Sequence, residues 1–485
     1  MGVLTRTARR PNPFALAEDA RVALADRTAR AVQRARRDGA PAIAALSVAL
    51  PAEVDLSAAV LAARRADDRY FCFEQPDRDG FLVAGIGQAT VLEARGAGRF
   101  AEVAARVREL GRRALADDPA RDRVRPTGSG PVFVGGFAFA PDGGATPEWS
   151  SLAPAALVLP EVSFARHRGE ARMTVCVVAQ GDEAPAALVE RLLARVGELA
   201  PAAMPLLDPD PIDRTRVASA APPSHFEAAV ERAIQRIREG ELEKLVLARE
   251  VRAHAARDHD PGAVFGALRD VFPACFCWCV GTPALSFLGA SPELLVRRDG
   301  ARAQTVALAG TARRSADPAV DDHLGEQLLR SAKDREEQAI VAHRIERTLE
   351  PVSVWVTAAD EPVLVKVQNV QHLATPIRAH LAEPVPALEL AGLLLPTPAV
   401  GGEPREAALP LIPALEGLDR GWYAGAVGWT DLAEDGEFCV ALRCALLRGS
   451  VAHLYAGCGI VRESAPGAEL AESDVKLQAL LPLLS

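Results

Sequence analysis

Of the 55 basic residues in this 485-residue chain only four are lysines, Lys244, Lys333, Lys366 and Lys476. A chain this short of lysine is expected to keep it where arginine cannot serve, because an amine can give up its proton in a site that favours the neutral form and a guanidinium cannot. Strong codon bias would leave the same handful, so position has to decide. Lys244 opens the run Lys244-Leu-Val-Leu-Ala-Arg249, which is mostly apolar with a β-branched residue inside, and so reads as the start of a buried strand. A lysine there is desolvated, which makes it the first catalytic candidate.

Other absences narrow the class. No apolar run of 18 or more residues could cross a bilayer, and the arginine-bearing N-terminus lacks the apolar centre of a signal peptide, so a cytoplasmic protein with no membrane partner is expected. The formal charge of -9 argues against a nucleic-acid partner, since phosphate binding calls for a basic surface. Small-molecule chemistry is the better expectation. The eight cysteines lack the Cys-x2-Cys spacing of a zinc site, and Cys275, Cys277 and Cys279 alternate so that one face of a strand would bury all three as reduced thiols. No repeat, low-complexity tract or heptad array occurs.

With 49% hydrophobic residues the chain can bury a large core, and its pattern is mixed α+β. Residues 1–75 are rich in alanine and arginine, with helical stretches at 18–38 and 56–69 and no readable chemistry. Strand-like segments at 81–86, 132–139, 156–159 and 173–178 precede an amphipathic helix at 184–199 and a proline-rich linker at 201–211. Ser224 and Glu227 have the spacing of a capping box, followed by Phe226, Val230, Ile234 and Ile237 on one helical stripe and by Gly240 as terminator. Strands are then predicted at 244–254, 275–280, 285–289, 293–297 and 303–308, one long helix at 320–350, strands at 353–357, 364–370, 423–430, 437–447 and 451–460, and a closing helix at 466–483.

Chemistry concentrates in this second half. Glu293, between Pro292 and two leucines, is either a solvated turn residue or a buried carboxyl that holds its proton at neutral pH, as a general acid must. The strand at 305–309 breaks at Gly310 into a polar turn where backbone can approach a ligand. Glu469, Glu472 and Lys476 share one helical face, suiting either a surface salt-bridge ladder or an oxygen-donor site for a hard cation such as Mg2+. Gly457 and Gly459 expose backbone amides, and Arg443 offers a fork to a carboxylate.

In this order the segments resemble the chorismate-utilising enzymes: isochorismate, salicylate, anthranilate and aminodeoxychorismate synthases. The resemblance covers about 220–480. It rests on Lys244-Leu-Val-Leu-Ala-Arg249, Gly289-Ala-Ser-Pro-Glu293, Ala307-Leu-Ala-Gly-Thr311, Ser331-Ala-Lys-Asp-Arg-Glu-Glu337, Val370-Gln-His-Leu373, Pro396-Thr-Pro-Ala-Val-Gly-Gly402, Arg420-Gly-Trp-Tyr-Ala-Gly425, Gly457-Cys-Gly-Ile-Val461 and Glu469-Leu-Ala-Glu-Ser-Asp-Val-Lys476. A weaker likeness at Pro131-Val-Phe-Val-Gly-Gly-Phe-Ala-Phe139 points to isochorismate synthases in particular. The implied fold is a single large unit with two antiparallel sheets between outer helices, in which 1–215 completes the sheets and 216–485 carries the catalytic region.

The resemblance further implies Lys244 as general base, held neutral by burial and nearby positive charge, and Glu293 as general acid. It implies Glu337 and Glu472 as magnesium ligands, to which Glu469 adds a third carboxylate, and Arg443 as the clamp for a substrate carboxylate. His372, Thr311, Ala309, Gly457 and Gly459 match further pocket positions, and Lys476 lies beside the carboxylate site. The implied reaction is reversible conversion of chorismate to isochorismate, with water adding at C2 and the C4 hydroxyl departing. Alanine at 309, where the aminodeoxychorismate branch has a lysine nucleophile, and lysine at 244, where ammonia-using anthranilate synthases have glutamine, both favour water. Salicylate synthases share these features and add pyruvate elimination, so they stand as the alternative, ahead of an anthranilate synthase large subunit. A monomer without a glutaminase subunit is expected, and the long N-terminal half leans toward the menaquinone type. Gln338, Leu470 and Ser473 depart from the family's histidine, aromatic and threonine, and Gln338 bears on how Glu337 is supported.

Overall fold

The computed structural model of the chain describes residues 12–117, 125–208, 215–368 and 370–484. Its strands pair antiparallel in two sheets, one of twelve strands and one of ten. Period-two alternation decides which side chains go where. Phe71 and Phe73 on the Tyr70–Gln75 strand point into a core shared with the second sheet, whereas Tyr70 and Cys72 point outward beneath helices. Across that shared core, the rings of Phe81 and Trp429 lie 6.4 Å apart. The Phe276–Thr282 strand turns Phe276, Trp278 and Val280 inward and its cysteines outward. Cys275, Cys277 and Cys279 are accordingly buried free thiols under the Pro261–Val271 helix, as the alternation predicts.

Both halves of the chain build both sheets. Cys72 pairs with Cys279 in the first sheet, and the Val132–Phe137 strand pairs with Ala426–Asp431 in the second. Helices Glu18–Asp38, Leu56–Ala62, Pro185–Gly197 and Pro261–Val271 cover the outer face of the first sheet. Ala332–Leu349 lies on the Arg302–Arg313 and Val370–Leu381 strands of the second. No helix of the described residues is long and apolar enough to cross a membrane.

Four local expectations are corrected. The helix at 320–350 is two helices, Pro318–Arg330 and Ala332–Leu349, broken at Ser331, whose hydroxyl caps the second by accepting from the Asp334 amide at 3.3 Å. Ser224 opens no capping box: the helix runs Pro223–Arg238 with Pro222 before it, which places Ser224 inside the first turn. The helix predicted at 56–69 ends at Ala62. The strand predicted at 437–447 is Gly436–Val440 in the second sheet and Cys444–Arg448 in the first, with Arg443 at φ +49° between them. Of the proline-rich stretch, 201–208 forms neither helix nor strand, and 209–211 lies outside the described residues.

The Arg405–Glu416 helix is tied to the Lys244–His254 strand by a buried ion pair. Arg420 donates through Nε to Glu416 at 3.0 Å and through its other nitrogens to the carbonyls of Val400 and Val246, while Glu416 accepts the Ala248 amide at 2.7 Å. Removing one partner leaves a buried charge without its counter-charge. Glu416→Ala is expected to lower the unfolding free energy in urea by about 3–5 kcal/mol; a loss below about 1 kcal/mol would contradict this role for the pair.

Candidate active site

Two adjacent crossings of the chain between sheets create the site. One runs from the Leu285–Ser291 strand in the first sheet to Leu294–Asp299 in the second, with Pro292 and Glu293 at the passage. The other runs back from Gly436–Val440 to Cys444–Arg448 through Ala441, Leu442 and Arg443. They are stitched side by side, the Val440 amide donating to Glu293 O at 3.0 Å and the Ala290 amide to Arg443 O at 3.1 Å. A strand that changes sheets must turn its side chains out of the ladder, and here an acid and a guanidinium face one cleft of about 880 Å³.

Of the twelve residues nominated from sequence, ten line this cleft: Glu293, Ala309, Thr311, Glu337, His372, Arg443, Gly457, Gly459, Glu472 and Lys476. Lys244 and Glu469 stand directly behind the wall, with 0% and 2% exposure. Lys244 starts its strand as predicted, but its Nζ lies 2.7 Å from Glu337 Oε1. Its partner is thus a carboxylate, which corrects the expectation of positive charge around it. Gly459 makes that contact possible, since a Cβ there would come within 2.4 Å of Glu337 Oε1 and 2.9 Å of Lys244 Cε.

Glu293 is the buried alternative of the two that its sequence left open. Burial is the dominant influence, opposed most by the Lys244 ammonium, and its carboxyl is pushed up to about 8. It therefore carries a proton at neutral pH. His372 is held the other way: burial first, then Arg443 and Lys476, bring its imidazole down to about 3. A neutral ring explains its bonds. Nδ1 donates to Gly310 O at 3.1 Å and lies 3.1 Å from Thr311 Oγ1, leaving the Nε2 lone pair to accept from Arg443 Nη2 at 3.2 Å. The bulge between Ala309 and Thr311, with Gly310 at φ +73°, sets that carbonyl against the ring. Arg443 Nη1 is buried without a partner among the described residues, a donor suited to an anionic ligand.

The acidic residues gather at one corner. Oxygens of Glu469 and Glu472 and the Cys458 sulfur lie within 4.8 Å of one another. Burial pushes the Glu472 carboxyl up, but the Lys476 ammonium 2.7 Å away more than offsets this and holds it below the usual range. Glu469 meets its ammonium partner, Lys333, only at 3.5 Å; burial and the Glu472 charge raise it. Sequence reasoning missed Lys333 and Asp334, although both lie in a motif it quoted. The only signal was a lysine in the first turn of a helix, where cations are disfavoured. Thr397, beside Glu293, was also missed.

The departures from the family pattern find local reasons. Gln338 donates through Nε2 to Ala307 O at 2.9 Å and Thr375 Oγ1 at 3.0 Å, so it fastens the helix bearing Glu337 to the sheet. Ser473 accepts from Arg249 Nε at 2.7 Å, and Leu470 packs against the shared core.

This geometry has counterparts among known proteins. Residues 30–485 match the family described as chorismate binding enzyme. The chain belongs to the chorismate-binding enzyme family. A salicylate biosynthesis isochorismate synthase of Pseudomonas aeruginosa is 38% identical over 415 residues, covering 85% of this chain and 84% of its own. The isochorismate synthase MenF of Bacillus subtilis is 33% identical over 367 residues, 75% of this chain and 76% of its own. Among solved structures, the menaquinone-specific isochorismate synthase MenF of Escherichia coli matches 94% of this chain and 99% of that one, with a TM-score of 0.77 at 26% identity. The likeness drawn from the motifs, to chorismate-utilising enzymes and to isochorismate synthases among them, is borne out, as is the two-sheet α+β fold.

In this chorismate-binding enzyme the state of Glu293 is open to direct measurement. Infrared difference spectra of wild type against Glu293→Gln should contain a protonated-carboxyl band at pH 7 that fades as pH rises through about 8. A band already absent at pH 6 would contradict the burial argument.

Proposed function

We propose that the chain is a magnesium-dependent isochorismate synthase, converting chorismate reversibly to isochorismate by addition of water at C2 and departure of the C4 hydroxyl. One observation carries this reading: a fully buried lysine and a buried protonated carboxyl serve the same cleft. Ala309 in that cleft supplies no amine nucleophile, and lysine rather than glutamine at 244 favours water over ammonia as the adding group.

Arg443, with its free Nη1 and its bond to neutral His372, would take a substrate carboxylate and fix the ring's orientation. Lys244, bordering the gap left by Gly459, would enter the forward step as the free amine, having first released its own proton to solvent, and accept one from the water that attacks C2. As the ring double bonds shift, Glu293 would give its proton to the C4 oxygen, which leaves as water. In the reverse direction Glu293 would become the base and Lys244 the acid, as a reversible reaction requires. Each positioned acid or base contributes roughly 10²–10⁴ in rate.

Glu337, Glu469 and Glu472 supply the hard oxygen donors that Mg2+ prefers, and these three would hold it. When bound, Mg2+ supplies a Lewis acid that draws electron density from a substrate carboxylate and so from the ring. The relatives named as isochorismate synthases support the same activity, and the P. aeruginosa name places that protein's product in salicylate synthesis. We also take the enzyme to act as a cytoplasmic monomer without a glutaminase subunit.

The test is to incubate purified protein with chorismate and Mg2+, with and without ammonium, and to separate the products with mass detection. Isochorismate alone is expected under both conditions. Salicylate with pyruvate would move the enzyme to the lyase reading, and anthranilate to the ammonia-using one.

A further inference from the structure

Three of the chain's four lysines end on the three glutamates proposed above to hold the cation. Lys244 Nζ lies 2.7 Å from Glu337 Oε1, Lys476 Nζ 2.7 Å from Glu472 Oε1, and Lys333 Nζ 3.5 Å from Glu469 Oε1. Two of them have further duties: Lys244 begins the strand next to the edge of the first sheet, and Lys476 donates to Gly457 O at 2.9 Å. For Lys333 no second bond occurs among the described residues. It is the second residue of the Ala332–Leu349 helix, where the positive end of the helix dipole opposes a cation.

Acid surrounds it nevertheless. Burial works against its charge, but Glu469, then Glu337, Glu472 and Asp334, outweigh burial and hold the ammonium above its ordinary range. The corner thus sets the carboxyl groups of Glu337, Glu469, Glu472 and Asp334 against the amino groups of Lys244, Lys333 and Lys476. Withdrawal of Lys333 leaves those four carboxyl groups facing two lysines, a surplus of acid that a divalent cation would offset.

Lys333 is also the lysine placed to leave. It borders the active cleft on one side and, on the other, a surface cleft of about 960 Å³ bordered by three acids, Glu243, Glu336 and Glu463, and one arginine, Arg462. Its side chain is 39% exposed. A compact ammonium on a flexible stem can move between these two acidic settings, where a guanidinium fork would commit to one carboxylate.

We infer that Lys333 is a tethered counter-ion that competes with the divalent cation for the clustered glutamates and swings out toward the surface cleft when the cation binds. This rests on the magnesium reading proposed above. Lys333 is a positioning residue: it holds the glutamates together against their mutual repulsion and sets the cation concentration at which the site fills.

Calorimetric titration of the chelator-stripped full chain with MgCl2 tests this without turnover. Lys333→Met is expected to bind Mg2+ about tenfold more tightly than wild type, and Lys333→Arg, which keeps the charge, less tightly than Lys333→Met. Equal or weaker binding by Lys333→Met would overturn the inference. Absence of Mg2+ binding by wild type and variant alike would overturn the magnesium reading itself. A second measurement needs no variant: brief acetylation of wild type, followed by peptide mass analysis. Acetylation of Lys333 should rise severalfold on adding Mg2+, while Lys366, paired with Asp321 and Asp322 away from the cleft, stays constant. An unchanged Lys333 would overturn the proposal even if Lys333→Met does not fold.

Discussion

The contact between Lys244 and Glu337, made in the space that Gly459 leaves open, is the constraint on which the rest of the site depends. It joins the first sheet, where Val246 pairs with Gly459, to the helix that packs on the second sheet. Any side chain at 459 would press into both partners. With the glycine in place, a charged pair sits almost wholly out of solvent, and burying such a pair is costly unless each charge meets the other closely. Gln338 supports the arrangement by fastening the neighbouring turn of the helix to two strands.

The chemistry follows from where the chain changes sheets. At both crossings a residue that would otherwise take its place in a ladder is turned toward the cleft, one an acid and the other a guanidinium. Their surroundings then divide the roles. Burial keeps Glu293 protonated, whereas Lys476 keeps Glu472 ionised less than one helical turn from Glu469, which burial and charge repulsion push the other way. The proposed acid, cation ligands and anion clamp are thus separated by environment within one cleft.

What the sequence made legible was local and periodic. Alternation along 275–280 placed the three thiols on one buried face, and the apolar run after Lys244 announced a buried strand. Most of the cleft was readable because its residues lie in short motifs with recognisable neighbours. The sheet crossings were less legible: Pro292 marks one as a break, but nothing local says that the strand resumes in a different sheet. The partner of Lys244 was read with the wrong sign because Glu337 lies 93 positions away and arrives on a helix docked from the other sheet. The two helices at 318–349 were merged because their apolar periodicity runs on through Ser331, although Ser331 and Asp334 had the spacing of a cap. Lys333 was passed over because a charged helix turn ordinarily faces water.

Replacing Lys244 by alanine and measuring turnover of chorismate alongside its equilibrium binding tests the central claim most directly, namely that the buried amine is the base. The account predicts a fall in kcat of about 10²–10⁴ with chorismate still bound. A variant that turns over at the wild-type rate would remove Lys244 from the mechanism and leave its contact with Glu337 as architecture alone.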